Sequence, residues 1–313
     1  MRGTEPTIVV DGLIKRYRGA NTNAVDGISF SVHPGEFFAL LGPNGAGKTT
    51  TISILTTTLS PTGGTARIAG HDLATEASAV RASVGIIFQR PSLDQNLTAE
   101  ENVRLHAILY GLFPYRPFFT AMAAEYRDRV RELATILGIE REMFQAVRTF
   151  SGGMKRKLEI VRSLMHRPLV LFLDEPTAGL DAASRRALWQ YLREVRETSG
   201  TTVFVTTHYL DEAENADEIC IINRGKIVGR GTPDVLKADL TVEYLLVDAK
   251  DRPRLRSELL ARSIRFTETP LFRIPVDNGG AHAMLRAIDT PLTVVRTHAP
   301  SLEDAYLEIL AKS

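Results

Sequence analysis

From residue 7 to residue 41, apolar positions fall in short alternating runs broken by turn formers. Residues 7–10, 24–32 and 37–41 read as strands, the last two separated by Pro34-Gly35. The next run, Thr49-Thr50-Thr51-Ile52-Ser53-Ile54-Leu55-Thr56-Thr57-Thr58, is β-branched and by propensity alone a strand. It follows the glycine-rich turn Gly42-Pro43-Asn44-Gly45-Ala46-Gly47-Lys48, a turn of the kind that feeds a helix N-terminus. A helix is therefore expected there against propensity. Pro61-Thr62-Gly63-Gly64 makes a turn, followed by a strand at 65–69, a helix at 76–83 and a strand at 84–88.

The pattern then becomes helical. Thr98-Ala99-Glu100-Glu101 fits a capping box opening a helix to about residue 110. A second helix is expected over 121–137, and residues 90–165 form a mostly helical insert. Between its first two helices, residues 110–119 are unusually aromatic, either a satellite core under a loop or a docking surface for an apolar partner. Leu169-Val170-Leu171-Phe172-Leu173 is continuously apolar, as in a parallel strand buried on both faces, and ends in Asp174-Glu175. A helix at 184–198, strands at 202–206 and 219–223, and a hairpin turn at Asn223-Arg224-Gly225-Lys226 into 227–229 complete an α/β pattern. Residues 1–235 read as one domain. The texture changes near residue 240. Strands at 241–247, 264–266, 271–276 and 292–297 and helices at 254–262, 281–288 and after Ser301 suggest a small α+β domain over 240–313. Its order βαββαβα is ferredoxin-like with one extra helix.

Composition narrows the class only a little. The 313 residues are 44% hydrophobic and 24% charged, ordinary for a globular protein. A formal net charge of +1 gives no bulk attraction to nucleic acid or an acidic membrane surface. The one cysteine, Cys220, lies in an apolar strand, which fits a disulfide-free cytosolic chain. The N-terminus has no apolar signal-like region, and no stretch approaches the roughly 18 apolar residues of a membrane span. If this protein serves a membrane, another chain must do the spanning.

The chemistry begins at the turn. Gly42, Gly47, Lys48 and Thr49 satisfy G-x-x-x-x-G-K-[ST], the phosphate-binding loop. Small residues let successive N–H groups turn in on phosphates, Lys48 brings a full charge, and the Thr49 hydroxyl is a natural Mg²⁺ ligand. Tyr17 is either a strand aromatic in the core or a platform for an adenine ring. About 23 residues before Asp174, Ser151-Gly152-Gly153 opens another helix, with a hydroxyl and exposed N–H groups suited to a second anion-binding surface.

With these motifs in this order, residues 7–232 resemble the ATP-binding subunit of ABC (ATP-binding cassette) transporters. The resemblance implies a P-loop NTPase fold with a RecA-like core, an antiparallel β subdomain and a helical subdomain. Lys48 and Thr49, followed by Thr50, match the Walker A loop, Gln89 the Q-loop, Ser151-Gly152-Gly153-Met154 the signature and Asp174 Walker B. Glu175 matches the catalytic glutamate, Ala178-Gly179-Leu180-Asp181 the D-loop and His208 the H-loop. It further implies that Asp174 and Gln89 serve Mg²⁺, that Glu175 activates water, that His208 meets the γ-phosphate of ATP and that Tyr17 stacks on adenine. Met154 and Phe150 stand where the family often has glutamine and leucine. The signature of one subunit would close over the nucleotide of another, so this chain must pair with a second cassette. A homodimer would have two competent sites. A membrane-spanning permease subunit, with the chain peripheral on the cytoplasmic face of the cell membrane, is also implied.

Pro300-Ser301-Leu302-Glu303-Asp304-Ala305-Tyr306-Leu307, with Glu159, is similar to the daunorubicin-resistance-type exporter ATPases, which favours efflux of a drug, antibiotic or lipid. The alternative, a soluble ABC ATPase of DNA repair or translation, predicts tandem cassettes, a coiled-coil insert or basic arms. None is present. A metabolic P-loop kinase leaves Ser151–Met154 and His208 unexplained.

Overall fold

A computed structural model describes residues 5–88, 92–238, 243–268, 270–276, 280–298 and 301–312. The chain divides into two compact units, Met1–Arg230 and Gly231–Ser313. In the first, the elements are β1 (Ile8–Lys15), β2 (Val25–Val32), β3 (Phe37–Leu41), α1 (Lys48–Leu55), β4 (Gly63–Ile68), β5 (His71–Asp72), α2 (Ala77–Ser83) and β6 (Val84–Ile87). There follow α3 (Ala99–Leu109), α4 (Ala124–Ile136), α5 (Gly152–Leu164), β7 (Val170–Asp174), α6 (Ala182–Ser199), β8 (Thr202–Thr207), α7 (Leu210–Ala213), β9 (Glu218–Asn223) and β10 (Lys226–Gly231).

Two sheets result: an antiparallel one in the order β2-β1-β4-β5, and a six-stranded one in the order β10-β9-β3-β8-β7-β6. Every residue of β3, β7 and β8 is buried, which is why these runs show no alternation. Phe204 of β8 stacks on Phe38 of β3 at 5.1 Å and meets Phe172 of β7 at 5.3 Å, while Phe30 of β2 stacks on Phe38 at 5.2 Å. This aromatic cluster welds the two sheets into one core. The parallel register sets Leu41 beside Thr207, and Asp174 beside Thr206. The carboxyl ends of three neighbouring strands therefore open at one edge, the usual ligand crevice of such sheets.

The β-branched run does form a helix, but α1 stops at Leu55. Its hydroxyls turn back on the preceding turn, Thr51 onto Gly47 O at 2.9 Å and Thr56 onto Ile52 O at 2.8 Å. Thr57 then takes a left-handed conformation and ends it. The capping box at Thr98 forms in both directions. α4 starts later than expected because residues 119–121 close a 3-10 turn instead. Within residues 110–119, Phe113 and Phe119 pack edge-on against the buried Tyr126, whereas Tyr115 and Phe118 are 68% and 69% exposed.

β6 is an edge strand, and α5 lies close against it. A Cβ on Gly85 would stand 2.7 Å from the backbone oxygen of Ser163. Gly85→Ala should force the helix off the strand, at about 1–3 kcal/mol. A urea titration would show a lowered midpoint with an unchanged slope. An unmoved midpoint would mean the helix retreats freely.

The second unit contains α8 (Pro233–Ala238), β11 (Glu243–Ala249), α9 (Arg252–Ala261), β12 (Thr267–Glu268), β13 (Phe272–Val276), α10 (Gly280–Arg286), β14 (Leu292–His298) and α11 (Leu302–Lys312). Its strands lie in the order β12-β13-β11-β14, each antiparallel to its neighbours, a split-βαβ arrangement over a core that includes Leu245, Val247, Leu255, Phe272 and Ile274. The strand expected at 264–266 is absent there and forms at 267–268. The Ile264 N–H instead bonds back to Leu259 O at 2.9 Å, with Ser263 left-handed, closing α9 in a Schellman turn. Among the described residues, no helix is long and apolar enough to cross a membrane.

Candidate active site

The loop after β3 is shaped by close approach. A Cβ on Gly42 would lie 2.3 Å from Ile222 O, and one on Gly47, itself at φ 112°, would lie 2.5 Å from Ala24 O. Glycine is required at both places. Pro43, Asn44, Gly45 and Ala46 form the turn between them, with Ala46 N–H donating to Pro43 O at 3.2 Å. Lys48 is buried, and its Nζ donates to Gly42 O at 2.7 Å and Pro43 O at 3.1 Å. Burial depresses the pKa of this ammonium below its ordinary value, against the opposing pull of Glu175 and Asp174. The charge is thus parked inside the loop, 3.8 Å from Glu175 Oε1.

Asp174 ends β7 as a buried carboxylate, accepting from Thr206 Oγ1, with Thr49 Oγ1 at 3.5 Å. Burial raises its pKa, and Glu175 adds to the rise. A buried carboxylate beside a hydroxyl is a hard oxygen pair that suits Mg²⁺, whose other ligands are ordinarily water and phosphate. Among the described residues, no cluster of three or more His, Cys, Asp or Glu offers an all-protein metal cage. Glu175 takes φ 46°, a conformation rare outside glycine, and its N–H bonds to Thr206 O at 3.0 Å. Its Oε1 meets His208 Nδ1 at 3.1 Å. Lys48, Asp174, Glu175, Thr49 and His208 therefore form one cluster. Gln89 lies outside the described residues.

Tyr17 is half-exposed, and its hydroxyl lies 3.2 Å from Thr50 Oγ1, which sets the ring beside the loop. A groove there is lined by Tyr17, Ala20, Asn23, Gly45 and Arg224. Ser151 caps α5, accepting from Met154 N–H at 3.2 Å, with Gly152 exposed beside it and open space over its Cα. Among the described residues, no hydrogen bond or ion pair joins Ser151, Gly152 or Gly153 to Lys48 or Thr49. Asp181 is engaged locally. Its carboxylate caps α6, accepting from the N–H groups of Ala183 and Ser184 and from the Ser184 hydroxyl, which holds its pKa below the ordinary value.

A family model described as ABC transporter matches residues 25–178. The daunorubicin/doxorubicin resistance ATP-binding protein DrrA of Streptomyces peucetius is 42% identical over 98% of this chain and 88% of its own. The chain belongs to the ABC transporter family. Another relative, Nod factor export ATP-binding protein I of Ralstonia nicotianae, is 36% identical over 99% of this chain and 95% of its own. Among solved structures, an ATP-binding subunit of an ABC transporter is 32% identical at a TM-score of 0.67, covering 75% of this chain and 93% of that one. A dimeric ATP-binding cassette in a post-hydrolysis state with ADP and Pi is 28% identical at a TM-score of 0.65, covering 72% and 98%. The ABC chain described here is thus an ATP-binding, ATP-hydrolysing subunit on the P-loop NTPase fold.

Two buried charges of this ABC cassette escaped the sequence. Glu212, on the one-turn helix α7, accepts from the hydroxyls of Thr177 and Thr207, tying the segment before Asp181 to the one before His208. Burial raises its pKa. Arg156, flanked by Lys155 and Lys157, is 4% exposed. The available signal was the apolar spacing of Leu158, Ile160, Val161 and Leu164, which marks most of α5 as buried.

Proposed function

We propose that this chain powers an exporter of a drug, antibiotic or lipid through a separate membrane-spanning permease. Residues 1–235 act as the cassette and 240–313 as an accessory domain, held peripherally on the cytoplasmic face of the membrane. One observation carries the reading: the groups suited to ATP are split. Lys48, Thr49, Asp174, Glu175 and His208 gather at one sheet edge, while Ser151 and Gly152 stand exposed at the start of α5 and, among the described residues, make no hydrogen bond to Lys48 or Thr49. A nucleotide gripped on both sides then needs the signature of a second copy. The identity to exporter ATPases over nearly the full chain supports the direction of transport.

In this mechanism Gly42–Thr49 wraps the phosphates with backbone N–H groups, and Tyr17 supports the base. The Lys48 ammonium exchanges the Gly42 and Pro43 carbonyls for the terminal phosphates. Thr49 and Asp174, with Gln89, would hold Mg²⁺, which neutralises charge on the phosphate oxygens. Glu175 orients the attacking water and takes its proton, a task its fixed position beside Lys48 and His208 suits. His208, anchored to Glu175 through Nδ1, turns its other nitrogen toward the γ-phosphate. Positioning and charge carry this chemistry more than covalent steps do.

The test is reconstitution of the chain with its membrane subunit in vesicles that carry the chain on their outer face, with ATP and a fluorescent anthracycline outside. ATP-dependent accumulation of dye in the lumen is expected. ATP turnover with no permease bound in pull-down would favour the soluble reading. Phe118→Asp, at an exposed position, should abolish transport while leaving basal ATPase intact. Loss of folding instead would assign Phe118 to the satellite core.

A further inference from the structure

Alternate carbonyls of β6 and the residue after it, at Val84, Ile86 and Phe88, are taken by side chains of α5 and the turn beyond it. His166 Nε2 meets Val84 O at 2.8 Å, Ser163 Oγ donates to Ile86 O at 2.8 Å, and Arg156 Nη1 donates to Phe88 O. α5 thus stands where the next strand would, satisfying an otherwise open sheet edge. Its contacts reach to the residue before Gln89.

Arg156 does more than close this edge. Its Nε donates to Pro176 O at 2.9 Å, and its Nη2 donates to Asp174 O at 3.1 Å and Glu175 O at 3.3 Å. Nη1 also bonds Glu159 Oε2 at 3.2 Å. Glu159, 1% exposed, accepts the Ser92 N–H at 2.9 Å, and Arg162 donates to Ser92 O at 2.6 Å and Ser92 Oγ at 2.7 Å. Both flanks of the segment carrying Gln89, Phe88 and Ser92, are therefore held by charged side chains of α5. One of those side chains also grips the backbone of Asp174, Glu175 and Pro176.

We propose that Arg156, backed by Glu159 and Arg162, is a positioning residue of the ATPase. It locks the peptide of Glu175, together with Phe88 and Ser92, to the same helix whose tip presents Ser151. The inference rests on the assignment of Glu175 as base. A left-handed glutamate needs its backbone over-determined to persist, and Arg156 takes the carbonyls of Asp174, Glu175 and Pro176 in one planar fork. Because α5 is a stiff rod capped by Ser151, closure of that tip on a partner's nucleotide pulls on the base of its own site. Lysine keeps the charge but lacks the fork, so it cannot hold these acceptors together.

Arg156→Lys and Glu159→Gln in the full chain should keep the parent stoichiometry and change ATP affinity far less than turnover, because among the described residues these side chains reach the Gly42–Thr49 loop only through Asp174 and Glu175. Turnover per bound nucleotide should fall about 10- to 100-fold, the cost of a misplaced catalytic group. A purely structural charge would instead be rescued by lysine, so parent-like turnover per bound nucleotide in both variants overturns the proposal. Counting only bound nucleotide removes any unfolded fraction from the comparison. Glu175→Gln run alongside separates the two ideas. Retained turnover there removes the base assignment itself. Lost turnover there, with parent-like Arg156→Lys, removes only the positioning role.

Discussion

Glu175→Gln should bind ATP like the parent chain and hydrolyse it about 10²–10⁴-fold more slowly, the usual contribution of a positioned base. Glutamine keeps the shape and can keep the 3.1 Å contact to His208, so the local frame survives. It removes one of two adjacent negative charges. Asp174, whose pKa is raised first by burial and then by Glu175, should ionise more readily in the variant. With hydrolysis stalled, nucleotide should accumulate between paired cassettes. Light scattering would report a dimer that appears with ATP and is absent with ADP. A monomer with full turnover would remove both the base assignment and the sandwich.

Lys48→Ala should weaken ATP binding by about 1.5–3 kcal/mol, the worth of a charge-assisted hydrogen bond, or roughly 10- to 150-fold in affinity. The loss from the empty loop differs from the loss with nucleotide. Without ATP, Lys48 is buried, its pKa is depressed by that burial, and its protons serve the Gly42 and Pro43 carbonyls. The sign for pH is direct. A depressed lysine loses its proton at lower pH in the folded chain than in the unfolded one, so its charge costs the empty fold stability below its shifted value. Alanine removes that cost but strips the Gly42 and Pro43 carbonyls and the neighbouring Glu175 of their cation, so the empty chain should change little in stability while ATP affinity drops. Isothermal titration and a thermal melt without nucleotide check the two halves. Unchanged affinity would show that Lys48 never leaves the loop carbonyls.

The strands of the core were legible because burial on both faces leaves no alternation, as at residues 37–41 and 169–173. The phosphate loop was legible because close approach permits only glycine at Gly42 and Gly47. The strand placed at 264–266 failed because a helix ending consumed the Ile264 N–H, a local hydrogen bond that apolar periodicity does not register. The one-turn helix carrying Glu212 is too short to show a period at all.

By itself the sequence determined the chemistry that lives in contiguous residues: the loop Gly42–Thr49, the carboxylate pair Asp174-Glu175 and the helix start at Ser151. Each is a local pattern of backbone freedom and charge, and such patterns survive in a one-dimensional string. Tertiary structure alone decided which groups meet. It brought His208 to Glu175 and buried Arg156 against three carbonyls around Glu175. Those outcomes depend on parallel register and on how closely α5 approaches the sheet edge. Both are set by packing between residues far apart in the chain.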